Sequence, residues 1–311
     1  MALLLDIKQS DWMTDTNLRD VLLPLYPSAD IRCGQSPGNL DDIEMLVVST
    51  YVEGEALRYP NLKLIQKAGA GVESIIADSS IPESVQVARL RSDVPAEEMA
   101  EYCLAAVFQE QRHFRQHRDN QSLSSWQPMA PKESSKTTVA ILGLGLIGSI
   151  TANRFLDNRF NVTGWSRSSK HLAGVHCYSG MDQLQELLGE ADYVISILPS
   201  TPETTGLFDQ KRFSEMKQSA VLINVGRGDL INEADLVQAL DNAELSHAIL
   251  DVIQVEPLPK SSPMWRHAGI TITPHVSGWH LGDAIYDIAE NFRQLEKGLP
   301  LLHLVDRQLG Y

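Results

Sequence analysis

No stretch of this 311-residue chain approaches the roughly 18 apolar residues of a membrane span, so the reading is of a protein without one. Cysteine is scarce: Cys33, Cys103 and Cys177 are odd in number and far apart. That argues against a disulfide framework or a zinc ribbon, and for a reducing compartment. Positive charge is in deficit, with 26 Lys and Arg against 40 Asp and Glu and a net charge of -14. Such a field repels nucleic acid and anionic membrane, so an anionic ligand must be captured by local cations. The opening "MALLLDIKQSDW" has too short an apolar run for a signal peptide and meets Asp6 at once. A cytoplasmic protein with no nucleic-acid or membrane partner is expected. Low-complexity tracts and solenoid repeats are absent as well, and the length allows two domains of ordinary size.

What is present is an alternation of short apolar runs with helical patterns, the signature of parallel α/β folding. In the first third, "ALLLDI", "EMLVVST", "LKLIQKAG" and "VQVAR" read as strands. "PAEEMAEYCLAAVFQEQRHFRQHRDN" then reads as one long helix. Pro95 suits its first turn, Glu97 and Glu98 favour the positive end of its dipole, and His and Arg crowd its far end. From Thr137 six further strands follow, "TTVAILGLG", "FNVTGWS", "ADYVISILP", "AVLINVG", "HAILDV" and "GITITPH", enough for a doubly wound unit. A last helix at about 283–297 precedes an irregular tail ending "VDRQLGY". The expected class is α/β, with two doubly wound parallel-sheet domains.

"VAILGLGLIGSI" holds Gly143, Gly145 and Gly148 in G-x-G-x-x-G spacing, after an apolar strand and before a helix pattern. A glycine triplet alone also fits a plain βα turn, but this context favours a dinucleotide loop. Gly143 makes the tight turn, Gly145 lets the backbone approach a pyrophosphate, and Gly148 permits close helix–strand packing. Leu146 and Ile147 complete the loop, and the phosphates rest on the helix N-terminus. About 20 residues on, where an acid usually reads the ribose, the sequence offers Ser166, Arg167, Ser168 and Lys170. Ser166 removes the repulsion an Asp would exert on a 2′-phosphate, while Arg167 and Lys170 can pair with it. This favours NADP, with NAD as the alternative. The competing reading of the segment is a solvated basic loop.

Three residues fall at or beyond consecutive strand ends: Arg227 after "LINVG", Glu256 after "LDVIQV" and His275 at the end of "TITPH". Ligands of open α/β sheets bind beyond those ends. An arginine can clamp a carboxylate in two parallel bonds and polarise a neighbouring carbonyl. A histidine can deliver a proton as hydride arrives, and a carboxylate on its far nitrogen keeps it protonated nearer neutral pH. Singly, each has a bland alternative as a surface ion-pair partner, a solvated acid or a turn histidine. Together they form a candidate catalytic set for ketone reduction. His113 and His117 lie four apart, a spacing open to a metal, but Arg112, Arg115 and Arg118 surround them. A positively charged helix end is the better reading, and no metal is expected.

These segments resemble the D-isomer-specific 2-hydroxyacid dehydrogenase family. "GAGVESI", "ILGLGLIGS", "LPSTPETTGLF", "INVGRGDLINEADLVQAL", "LDVIQVEPLP" and "TITPHVSG" carry the resemblance over nearly the whole chain. "EMAEYCLAAV", "GWSRS", "SPMWRHAGITITPHV", "QLEKG" and "VDRQLGY" look most like its glyoxylate/hydroxypyruvate reductase A branch. The resemblance implies that Arg227 binds the substrate carboxylate and carbonyl, His275 gives the proton and Glu256 partners it. It further implies that amides at Ala70 and Gly71 hold the carboxylate. Leu198, Val225 and Asp251 line the nicotinamide half of the cofactor site, with Pro199 in the same set. Family architecture implies a flavodoxin-like substrate domain (1–95 and 283–311), a Rossmann dinucleotide-binding domain (96–282) and a cleft between them that closes on ligand. A homodimer through the dinucleotide-binding domain is also implied. Glu73 stands where Asp is more usual, which matters little if backbone amides do the binding. Trp279 and His280 follow "HVSG" where many members carry a smaller polar residue; they either narrow the pocket or pack at the hinge. The expected activity is NADPH-dependent reduction of small 2-keto acids, glyoxylate to glycolate and hydroxypyruvate to D-glycerate. Alternatives are another keto-acid or NAD preference, or a dinucleotide-sensing regulator without catalysis.

Overall fold

The structure, a computed structural model, describes residues 1–8 and 13–307; the last four residues of "VDRQLGY" and four of the opening segment lie outside the described residues. The chain divides into two compact units, Met1–Ser92 with Leu281–Tyr311, and Asp93–His280. Each is built on a parallel sheet buried on both faces, and that is why its strands read as nearly continuous apolar runs.

In the first unit, β1 (Ala2–Asp6), β2 (Ile31–Cys33), β3 (Ile43–Val48), β4 (Leu64–Lys67) and β5 (Gln86–Ala88) take the order β2-β1-β3-β4-β5, all parallel. This is the flavodoxin-like order. Helices α1 (Asp15–Leu22) and α2 (Glu73–Ile76) belong to it, and the chain returns with its last helix, Ile285–Lys297. Successive strand residues point to opposite faces. Leu3, Leu5, Met45 and Val47 therefore pack with Leu18, Leu22, Ile288 and Phe292 on one side. Leu4, Leu46, Val48 and Ile65 pack with Tyr51, Tyr59 and Ile75 on the other.

The second unit opens with α3 (Asp93–Gln111) and α4 (Phe114–Ser122). Then come β6 (Thr138–Leu142), α5 (Leu146–Asp157), β7 (Asn161–Ser166), β8 (Val175–Ser179), α6 (Leu184–Glu190) and β9 (Tyr193–Ser196). It continues with α7 (Gln210–Ser214), β10 (Val221–Asn224), α8 (Glu233–Asp241), β11 (His247–Leu250) and β12 (Ile270–Ile272), and the returning helix of the first unit is α9. The sheet order β12-β11-β10-β9-β6-β7-β8 reverses direction between β6 and β9, the Rossmann arrangement with one strand added. Val139, Ile141, Ile195 and Ile223 meet Cys103, Val107 and Phe155 on one face. Ala140, Leu142, Val194 and Leu222 meet Leu187, Phe213 and Leu236 on the other. Among the described residues no helix is long and apolar enough to cross a membrane.

Three local expectations are corrected. The sheets gain β2 and β8, short edge strands whose mixed sequences "IRC" and "VHCYS" carry no apolar run, because an edge strand is paired on one side only. The long helix is two helices. His113 takes a left-handed conformation (φ 57°) between α3 and α4, and its Nε2 lies 3.0 Å from the Ala130 carbonyl. His113 and His117 thus do not share one continuous helix. Among the described residues no group of three or more metal-type ligands comes together.

Candidate active site

The glycine loop leaves β6 at Leu142 and enters α5 at Leu146. The Gly143 amide donates to the Trp165 carbonyl at 2.8 Å, and Gly143 sits at φ +105°, a conformation L side chains rarely adopt. A Cβ at Gly148 would stand 1.8 Å from the Gly143 carbonyl oxygen, so only glycine lets α5 approach the turn. Gly145 is exposed, a Cβ there would meet nothing within 4 Å, and Leu146 and Ile147 follow half-buried in the first turn of α5. The loop therefore presents open backbone at the positive end of a twelve-residue helix.

β7 ends at Ser166, which is buried and donates its Oγ hydrogen to the Ser168 carbonyl at 2.8 Å. The serine holds the turn closed and leaves Arg167, Ser168 and Lys170 exposed beyond it. A hydrogen bond from Thr201, together with the Arg167 charge, holds the Glu203 carboxyl below the usual carboxylate range. The Arg167 charge thus reaches the segment after β9, in which Leu198 is buried and Pro199 exposed.

Arg227 lies just past β10, half-buried, and its Nη1 donates to the Gly226 carbonyl at 2.6 Å. Asn224, fully buried, stitches this corner: its Nδ2 donates to the Arg227 carbonyl at 2.8 Å and its Oδ1 accepts from the Gly226 amide at 3.2 Å. A Cβ on Gly228 would lie 2.0 Å from the Ile253 carbonyl carbon, so the Arg227 corner is pressed against the segment after β11. That segment carries Glu256. Its Oε1 accepts from the Ile253 amide at 3.0 Å, and its Oε2 lies 2.8 Å from His275 Nδ1. Burial pushes the Glu256 carboxyl up. The hydrogen bonds from His275 and the Ile253 amide, with the charges of His275 and Arg227, outweigh it and hold the group below its ordinary value. β10, β11 and β12 are neighbours in the sheet, so their trailing loops bring Arg227, Glu256 and His275 to one edge.

His275 has a left-handed backbone, φ 55°, which costs about 1–2 kcal/mol for an L residue. Asp251 is the counterweight. Its carboxylate is buried and accepts from Thr273 Oγ1 at 2.6 Å, the Val276 amide at 2.9 Å and the Ser277 amide at 2.9 Å. Its carbonyl accepts the His275 amide at 2.9 Å. Hydrogen bonds to a charged group contribute about 1.5–3 kcal/mol each, so the set exceeds the strain. Asn224 and the loop-holding part of Asp251 were not legible in the sequence. Their only signal is a short polar residue at a strand end, which many turns share. Val225 is buried beside them, its amide bonded to the Ser196 carbonyl at 3.1 Å. Ala70 and Gly71 belong to the first unit, between β4 and α2, where Ala70 is exposed and the Gly69 carbonyl accepts the Leu90 amide at 2.9 Å.

Residues 104–277 match the family described as D-isomer specific 2-hydroxyacid dehydrogenase, NAD binding domain. The chain is 36% identical over 291 residues to a glyoxylate/hydroxypyruvate reductase A from Serratia proteamaculans, covering 92% of this chain and 93% of that one. It resembles the structure of a D-isomer specific 2-hydroxyacid dehydrogenase from Xanthobacter autotrophicus in complex with NADPH and MES. There the TM-score is 0.91 at 33% identity, covering 100% of this chain and 99% of that one. An NADPH-dependent glyoxylate/hydroxypyruvate reductase from Sinorhizobium meliloti, in complex with NADP and sulfate, is similar at a TM-score of 0.89 and 28% identity, with the same coverage of 100% and 99%.

Proposed function

Because the chain belongs to the D-isomer-specific 2-hydroxyacid dehydrogenases, we propose that it reduces small 2-keto acids, glyoxylate and hydroxypyruvate first, with NADPH. The observation that carries the reading is the His275–Glu256 pair at 2.8 Å, with the Arg227 charge reaching the same carboxylate. The glycine loop fits a dinucleotide on steric grounds, since Gly148 admits no side chain and Gly145 leaves backbone open at a helix start. When bound, the nicotinamide supplies the hydride. Arg227 clamps the substrate carboxylate and polarises the keto oxygen, and His275 delivers the proton to that oxygen. Glu256 keeps the imidazole oriented through the contact of its Oε2 with Nδ1. Leu198, Pro199, Val225 and Asp251 make up the nicotinamide side, and the Ala70 and Gly71 amides are assigned to the carboxylate on the strength of their glycine motif. The test is steady-state oxidation of NADPH and NADH across a panel of 2-keto acids. Negligible NADPH oxidation with both glyoxylate and hydroxypyruvate rejects the substrate assignment.

Cofactor preference is assigned to Arg167 and Lys170, with Ser166 and Ser168 shaping the turn. Charge-assisted bonds of about 1.5–3 kcal/mol each mean that losing one contact and adding a repulsive acid moves preference by about 10²-fold or more. The double variant Ser166→Asp, Arg167→Ala is therefore expected to shift the ratio of kcat/KM for NADPH over NADH toward NADH by that factor. An unmoved ratio rejects the assignment.

A homodimer through the dinucleotide-binding unit belongs to the same proposal. Phe114, Leu123 and Trp126 stand 57%, 76% and 97% exposed on α4 and the segment after it, apolar surface that a second copy would cover. Sedimentation should return twice the chain mass at micromolar concentration, and a monomer throughout would dismiss this part.

A further inference from the structure

We infer that Glu98, on the first turns of α3, is a positioning residue that sets the His275 segment in its working place. The inference rests on the proposed role of His275 as proton donor. α3 turns one face toward residues 273–280, with Pro95, Glu98, Met99 and Tyr102 at the i, i+3, i+4 and i+7 spacing of a single helical stripe. Tyr102 Oη lies 2.7 Å from Thr273 Oγ1, two residues before His275. Three residues after His275, a Cβ on Gly278 would fall 3.1 Å from Met99 Cγ and 3.2 Å from the Pro95 carbonyl oxygen, so the segment lies close against the helix. Beyond it, Glu98 Oε2 accepts both the Trp279 amide at 2.7 Å and the His280 amide at 2.9 Å, while Oε1 pairs with His280 Nδ1.

The segment is thus held at both ends. Asp251 grips residues 273–277 from the sheet side, and Glu98 grips Trp279 and His280 from the helix side. Inside the Asp251 grip His275 keeps its left-handed backbone, and the Glu98 grip takes over at Trp279 on the far side of Gly278. Burial pushes the Glu98 carboxyl up, but the bonds from the His280 amide, the His280 ring and the Trp279 amide win, so the group stays an ionised acceptor. The Trp279 and His280 expectations are refined accordingly: their backbone amides are anchor points on α3. A misplacement of about 1 Å in a proton donor can cost up to roughly 10²-fold in rate, so a partial loss of this grip is readable in kcat.

The experiment compares Glu98→Ala, Glu98→Gln and Glu98→Asp in the full chain by kcat, keto-acid KM, NADPH Kd from fluorescence, and hydrogen exchange of the 276–280 amides. Glu98→Ala is expected to lower kcat about 10-fold and speed exchange at 276–280, leaving NADPH Kd within about twofold. Glu98→Gln keeps an oxygen that accepts both amides and is expected to recover most of kcat. Glu98→Asp falls short by one methylene and is expected to land between, which serves the test should the alanine variant not fold. Unchanged kcat in Glu98→Ala, or a glutamine variant as impaired as the alanine one, overturns the inference. Unchanged exchange at 276–280 overturns the anchor itself, whatever the kinetics. Wild-type protein that reduces no keto acid instead sinks the functional reading and the kinetic half of the inference, while exchange still decides the anchor.

Discussion

Replacing His275 with alanine is expected to lower kcat for 2-keto acid reduction by about 10²–10⁴-fold, the range for loss of a positioned general acid. NADPH Kd should stay within about twofold, because the imidazole is assigned to the substrate's oxygen and not to holding the cofactor. The geometry behind the number is the 2.8 Å contact between His275 Nδ1 and Glu256 Oε2, which leaves the opposite ring nitrogen for the substrate. Glu256 is held below the ordinary carboxylate range, so it remains a negative partner for an imidazolium through neutral and mildly acidic pH. A depressed acid of this kind adds stability above its unfolded pKa, and that stability fades as pH falls through the folded value. Acid loss of activity should therefore begin only below the usual carboxylate range. Pre-steady-state mixing with NADPH and glyoxylate separates the chemical step from binding. An alanine variant that keeps most of its single-turnover rate removes His275 from the mechanism.

Arg227→Ala should do comparable damage by a different route. Two parallel charge-assisted bonds to a carboxylate, at about 1.5–3 kcal/mol each, correspond to roughly 10²–10⁴-fold in kcat/KM. Both parameters should move, KM through the lost carboxylate bond and kcat through the lost polarisation of the keto oxygen. Arg227→Lys should recover only part of the loss, since an ammonium is a point charge without the planar fork. The corner that aims the guanidinium does not rest on it alone: the Nη1 bond to the Gly226 carbonyl is lost in Arg227→Ala, but Asn224 still holds the Gly226 amide and the Arg227 carbonyl through backbone atoms that survive either substitution. Melting curves of the variants should therefore overlay the wild type, and kinetics then report on the side chain alone. A change in kcat/KM of less than about fivefold in Arg227→Ala would assign the carboxylate to other groups.

Much of the site was readable because its determinants are local. The glycine loop is a steric requirement written into six residues: the space at Gly148 and the positive φ at Gly143 exclude side chains whatever the rest of the chain does. The strands β6, β9, β10 and β11 were readable because burial on both faces demands uninterrupted apolar sequence. β2 and β8 escaped because three to five residues at a sheet edge can be polar. The break at His113 escaped because helix propensity continues through it, while the left-handed turn shows only in the folded chain, where the His113 ring lies 3.0 Å from the Ala130 carbonyl.

The sequence by itself determined the two parallel sheets, the tight glycine loop at the start of α5, the absence of an acid at Ser166, and the placement of Arg227, Glu256 and His275 after consecutive strands. Each of these depends on a residue type at a position along one element, which a linear chain can display. Tertiary structure alone decided how those residues are aimed. Asp251 reaches Ser277 across 26 residues of sequence, and Glu98 reaches Trp279 across 181. A hydrogen bond over such separations leaves no periodicity or spacing to read, because only the packing of α3 against the loop after β12 brings its two ends within 3 Å.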